Sequence, residues 1–221
     1  MNIEMGLSGF LFLFIIITNI ASVRFGYETL SDLNSDTKLQ KINKNPKKFK
    51  ISIVLILIEH ISIISLAIML FIAFSPYNLI LALVWTISRI TEGSIQIYNK
   101  KSYWGLLNIA KQYSATSGAK KKSLSDLGRS ILKTKNSSFT FAQILFSIGT
   151  IAYSILFVTS GVVPAIIGWF GLIASILYGL GNGIILVKPN FKILGYIGGL
   201  PILLFEIALG GWLLFSSLIN L

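Results

Sequence analysis

The sequence predicts an all-α integral membrane bundle of six transmembrane helices, one domain spanning 1–221, with both termini outside. Three observations predict it. The 221 residues are 54% hydrophobic and only 12% charged, with a mean hydropathy of +0.78, whereas a soluble domain carries roughly a quarter charged residues. The apolar residues fall in six runs, each near the roughly 20 residues a helix needs to cross hydrocarbon. The basic residues crowd into alternate connections between those runs, the asymmetry that orients membrane proteins.

In order, the runs are 5–23, 51–74, 77–98, 139–160, 162–187 and 191–219. Backbone groups in lipid find no partner outside their own segment, so spans must be helices or strands of a closed barrel. Unbroken Ile/Leu/Phe stretches without period-two alternation select helices. The first run reads as a retained helix rather than a cleaved signal peptide, because Glu4 makes its leading end acidic and Arg24 follows the apolar stretch. The last run is longer than hydrocarbon requires and should tilt or end in an interfacial turn.

The connections carry the charge. Arg24, Lys38, Lys41, Lys44, Lys47, Lys48 and Lys50 lie in 24–50, nine more basic residues including Lys120-Lys121-Lys122 in 99–138, and Lys188 and Lys192 around 188–190. Together they are 18 of the 19 Lys and Arg residues, and the opposite turns at Ser75-Pro76 and Gly161 hold none. By the positive-inside rule these loops are cytoplasmic and the protein sits in the cell membrane. The net charge of +11 is then an orientation signal that also draws anionic lipid headgroups. It does not mark a nucleic-acid binder, because the basic residues flank apolar spans and lack the interleaved aromatics of a stacking platform. Within 99–138, Ser123-x-x-Asp126 starts a stretch with Leu124, Leu127 and Ile131 on one face, which predicts a short amphipathic cytoplasmic helix at the membrane surface. Tyr98, Tyr103 and Trp104 read as an interfacial anchor.

Polar residues at bilayer depth are costly, so candidate functional residues are sought there. The third span carries Arg89, Glu92 and Gln96 at helical spacing, the second Glu59 and His60, the fifth Tyr178 and Asn182, and the sixth Glu206. Charges facing lipid singly would cost several kcal/mol each, so the second, third and sixth spans should face one another. Three carboxyls meet one certain cation, Arg89. Such a cluster either takes up a proton or a cation, or forms a structural network in which a protonated carboxyl donates a hydrogen bond. With no Cys and one His, no zinc-like ligand set exists. His60 reads as a hydrogen-bonded packing residue, and no metal or cofactor is expected. Gly179-x-x-x-Gly183 and Gly195-x-x-x-Gly199 read as close helix-packing patterns.

Two stretches carry a resemblance. One is 49–98, with a basic loop running into an apolar helix, then Ser75-Pro76, then Arg89-Ile-Thr-Glu92-Gly; the other is Lys188-Pro-Asn-Phe-Lys-Ile-Leu-Gly195-Tyr-Ile-Gly198-Gly. They resemble domain of unknown function 4386, a family of multi-pass bacterial and archaeal membrane proteins. The resemblance spans most of the chain and is poorest over 114–136. It implies a six-helix membrane protein, draws attention to Arg89 and Glu92, and supplies no activity.

Three functions follow from these residues. The first is a proton- or cation-linked transporter or binding protein for a small solute, using the intramembrane Glu/Arg cluster. The second is a non-transporting accessory, sensor or immunity-type protein, whose basic loops meet a protein partner or lipid headgroups. The third is an intramembrane lipid-modifying enzyme using Glu59 with His60. It has no recognisable nucleophile–base pair, so the chain is expected not to be an enzyme.

Overall fold

The computed structural model describes residues 2–219 as seven α-helices and one short 3-10 turn, Pro189–Phe191. The helices are α1 (Asn2–Arg24), α2 (Ser35–Lys44), α3 (Pro46–Phe74), α4 (Leu79–Ser114), α5 (Gly118–Ser160), α6 (Ala165–Val187) and α7 (Ile193–Ile219). Their starts follow from short polar side chains. Asn34, Asn45 and Asn78 each accept a hydrogen bond from a backbone N–H in the first turn of α2, α3 and α4, and Pro46 opens α3 where no N–H is needed. At the far end of α5, Gly161 takes φ +68° and stops the helix, a left-handed conformation that glycine adopts without a Cβ clash.

Among the described residues, five helices (α1, α3, α5, α6 and α7) are long and apolar enough to cross a membrane. This makes the chain a multi-pass membrane protein. The third expected span lies within α4, which falls short of that standard because Arg89, Glu92 and Gln96 interrupt its apolar residues.

The six long helices close into a ring. α1 packs on α3, α3 on α4, α4 on α5, α5 on α6 and α6 on α7, and α7 returns to α1. α2 sits outside this ring against α3, α4 and α5. At the end away from the basic segments the ring is filled. Phe74, Trp85, Tyr153 and Phe157 stack there with Phe12, Phe205 and Leu209, all buried. The α1–α7 seam at this end depends on glycine. A Cβ at Gly9 would lie 2.6 Å from the Gly210 carbonyl oxygen and 2.7 Å from the Leu214 nitrogen.

At the basic end the expected loops are largely helical. No short surface helix occupies 99–138. Instead α4 runs on to Ser114, and after a three-residue turn α5 begins at Gly118 and continues unbroken through the fourth expected span. No proline interrupts either helix, so each propagates past the point where apolarity stops. Leu124 and Ile131 turn inward as expected, but Leu127 is half exposed. These extensions and α2 build a second core around Leu39, Ile42, Phe49, Tyr103, Leu106 and Leu132. Tyr103 is fully buried in it rather than anchored at an interface, whereas Tyr98 is exposed. Gly128 of α5 lets α2 approach closely, since a Cβ there would lie 3.3 Å from the Leu39 side chain.

Polar contacts dock α2. Asp36 accepts hydrogen bonds from the hydroxyls of Ser125 (2.5 Å) and Tyr113 (2.9 Å). Those bonds, Ser125's first, hold its carboxyl below the usual range because they favour the charged form. A depressed carboxyl contributes stability that is present above its unfolded pKa of about 3.9 and is lost as pH falls through the folded value. The protection of α2 amides, measured relative to their intrinsic exchange rate, is expected to fall below about pH 4 in the wild type. In Asp36→Asn it should be lower at neutral pH and show no such step. An identical acid response in both proteins would remove Asp36 from the docking account.

Candidate functional site

Between the filled end and the basic end, the ring encloses a cavity of about 300 Å³ to which all six long helices contribute. Its deepest charge comes from α4. Arg89, 2% exposed, reaches Glu92 one turn on at 2.5 Å, the i,i+3 spacing that places both on one face. The guanidinium carbon lies 4.5 Å from the Phe146 ring centroid and 5.2 Å from that of Trp85, so aromatic faces replace water around the cation. Arg89 Nε and Trp85 Nε1 have no hydrogen-bond partner among the described residues.

From α3, Glu59 and His60 enter the same cavity. Glu59 is held by α1, because the Asn19 amide donates to both of its carboxylate oxygens at 3.1 Å. His60 Nδ1 has no partner among the described residues. Gln96 also lines the cavity and accepts from the ammonium of Lys100 at 3.4 Å. Opposite, the Tyr178 hydroxyl of α6 donates to Gln143 Oε1 of α5 at 3.0 Å. Glu206 of α7 completes the lining and makes no hydrogen bond or ion pair among the described residues.

Seven of the eight residues singled out from sequence therefore share one cavity: Glu59, His60, Arg89, Glu92, Gln96, Tyr178 and Glu206. Asn182 does not. It is buried behind the wall, and its amide donates to the Tyr178 backbone carbonyl at 2.9 Å, a back-bond one turn along its own helix. Sequence reasoning missed Asn19, which looks like an incidental polar residue near the end of an apolar run. Gln143 of α5 was not singled out either.

Lys100 is the larger correction. It counts among the loop lysines by position, yet it is 2% exposed and donates to Gln96 of the cavity wall. Lys135 and Lys38 are likewise buried. Lys100 thus adds a second buried basic group behind the three carboxyls, and among the described residues the carboxyl with no hydrogen bond or ion pair is Glu206. No grouping of His, Asp and Glu side chains suited to a metal ion occurs among the described residues.

Residues 7–216 match the model of a family described as a domain of unknown function, DUF4386. No curated protein and no solved structure matches the chain.

Proposed function

The chain belongs to the DUF4386 family, whose description names no activity, and from that premise we propose a six-span transporter that carries a small cation in exchange for a proton through the ring cavity. α4 counts as the sixth span in this reading. It stands in the ring between α3 and α5, so neighbours that cross the membrane take α4 with them, its charges turned inward. The basic end is cytoplasmic and both termini lie outside, a topology supported by the distribution of Lys and Arg.

One observation carries the reading: among the described residues Glu206 lines the cavity with no hydrogen bond or contact ion pair, sensing Arg89 only through space, while the other carboxyls there have a contact partner. Arg89 is tied to Glu92, and Glu59 is held by Asn19. A carboxylate at membrane depth with no cation in contact is expensive, so Glu206 has two ways to be neutral, binding a proton or binding a cation. Mutually exclusive occupancy by the two is the minimum that couples their movements.

The test is proton release. In weakly buffered detergent solution, adding sodium, potassium or methylammonium to the purified protein is expected to release protons for at least one of the three, with Glu206→Gln silent. Proteoliposomes should then acidify or alkalinise with that ion's gradient. Silence of the wild type toward all three would end the cation reading.

A further inference from the structure

The cavity wall is unevenly covered. Its lining from α3, α4 and the middle of α5 (Glu59, His60, Arg89, Glu92, Gln143 and Phe146) is buried, whereas Ile16 and Asn19 of α1 and Leu203 and Glu206 of α7 are partly exposed. Ile20 lines the cavity and is 60% exposed. The cavity thus reaches the outer surface of the ring between α1 and α7.

The seam between these helices explains why. At one end Gly6, Gly9 and Gly210 bring the backbones together, and a Cβ at Gly6 would sit 2.8 Å from Ser217 Oγ. Toward the basic end no glycine of α7 meets α1 among the described residues. There α7 also carries Pro201 within the helix, just after Gly198-Gly199. Proline lacks an N–H, so the carbonyl four residues earlier, that of Ile197, loses its helical partner, and this half of α7 is held less firmly. Ile16 and Ile20 lie eight and four residues before Arg24, about 6–12 Å from the basic end at ~1.5 Å per residue. That depth falls within one leaflet of a core ~30 Å thick.

The opening is flanked by apolar Ile16, Ile20 and Leu203, with Asn19 and Glu206 partly exposed at its inner edge, and the interior is rich in carboxyls. A ligand passing between Ile20 and Leu203 crosses from lipid tails to Glu206 without entering water. Its charged group must be positive, since an anion would meet Glu59 and Glu206 while Arg89 is paired with Glu92 and Lys100 is turned to Gln96. We propose that the ligand is an amphipathic organic cation, an amine on an apolar group, which enters the cavity laterally from the cytoplasmic leaflet between α1 and α7. This rests on the cation reading above and specifies its ligand and route.

The chain has no cysteine, so Ile20→Cys with Leu203→Cys creates a unique pair that a cleavable bis-maleimide can bridge across the opening. Full-length protein in proteoliposomes is assayed with radiolabelled octylammonium, against protein-free liposomes, and with methylammonium-induced proton release. The expected result is that bridging slows octylammonium association at least tenfold, that cleaving the linker restores it, and that methylammonium response is unchanged. Glu206→Gln should lose both. Equal octylammonium association before and after bridging would overturn the lateral route. A wild type that answers methylammonium but binds no octylammonium would overturn the ligand class and leave the cation reading standing. Silence of the wild type toward octylammonium and toward sodium, potassium and methylammonium alike would overturn the two together, and a response to sodium or potassium alone would overturn only the ligand class.

Discussion

Arg89→Met is expected to destabilise the protein by about 3–5 kcal/mol, the usual cost of removing one partner from a buried ion pair, and adding Glu92→Gln is expected to restore most of that loss. The asymmetry follows from where the pair sits. Arg89 and Glu92 are 2% and 3% exposed, 2.5 Å apart, with the guanidinium between the Phe146 and Trp85 rings. Methionine fills similar volume and leaves the aromatic packing in place, so the loss isolates the charge. Glu92 is then alone in a medium that solvates it poorly, and the second substitution removes that penalty without recreating the pair. Thermal unfolding in detergent, followed by size-exclusion recovery after heating, measures both steps. A double variant as unstable as the single one would show that Arg89 acts through packing on Trp85 and Phe146 and not by compensating Glu92.

Lys135→Met should have the next largest effect, about 2–4 kcal/mol, given that hydrogen bonds from a charged donor contribute ~1.5–3 kcal/mol each and do not add fully. The Lys135 ammonium donates to the backbone carbonyls of Glu28 and Thr29, the latter at 2.7 Å, and to Ser31 Oγ at 3.1 Å. It also lies 4.9 Å and 5.4 Å from the ring centroids of Tyr27 and Tyr103. Its neighbour Asn136 continues the clamp, accepting from the Ser31 N–H at 2.8 Å and donating to the Ser31 carbonyl at 2.7 Å. These two residues hold the segment between α1 and α2 against α5. Methionine would leave two carbonyls without a donor and free the segment. Faster exchange of the Ser31 amide and lower thermal stability are expected. Lys133→Met, two residues away and exposed, should change stability by less than about 0.5 kcal/mol. Equal behaviour of the two variants would return Lys135 to the class of surface charges.

Lys135 and Lys133 also mark the limit of what a linear reading can distinguish. Both are basic residues in a connection between apolar runs, and a count of charges treats them alike. One lies on the helix face that meets the α1–α2 segment and the other faces out. Lys100 illustrates the same limit inside the site. Its position just past an apolar run labels it as an orientation signal, but the helix continues and turns it toward Gln96 and the cavity. The extension of α4 and α5 was hidden for a related reason. Hydropathy reports where apolar side chains stop, while a helix stops where a cap or a breaker interrupts its hydrogen bonds, as Gly161 does for α5.

Much else was legible. Apolar runs predicted the long helices, because in lipid a backbone has few ways to satisfy its own hydrogen bonds. Charged and amide residues inside those runs predicted that Glu59, Arg89, Glu92 and Glu206 would turn away from lipid. These are local properties, written in the order of the residues. What the tertiary structure alone decided was the company each residue keeps. Asn19 reaches Glu59 across 40 positions, Asn182 sits behind the wall instead of in it, and Glu206 makes no hydrogen bond or ion pair among the described residues. The ring itself closes only where α7 packs against α1. No window of sequence contains that contact, since its two sides lie at opposite ends of the chain.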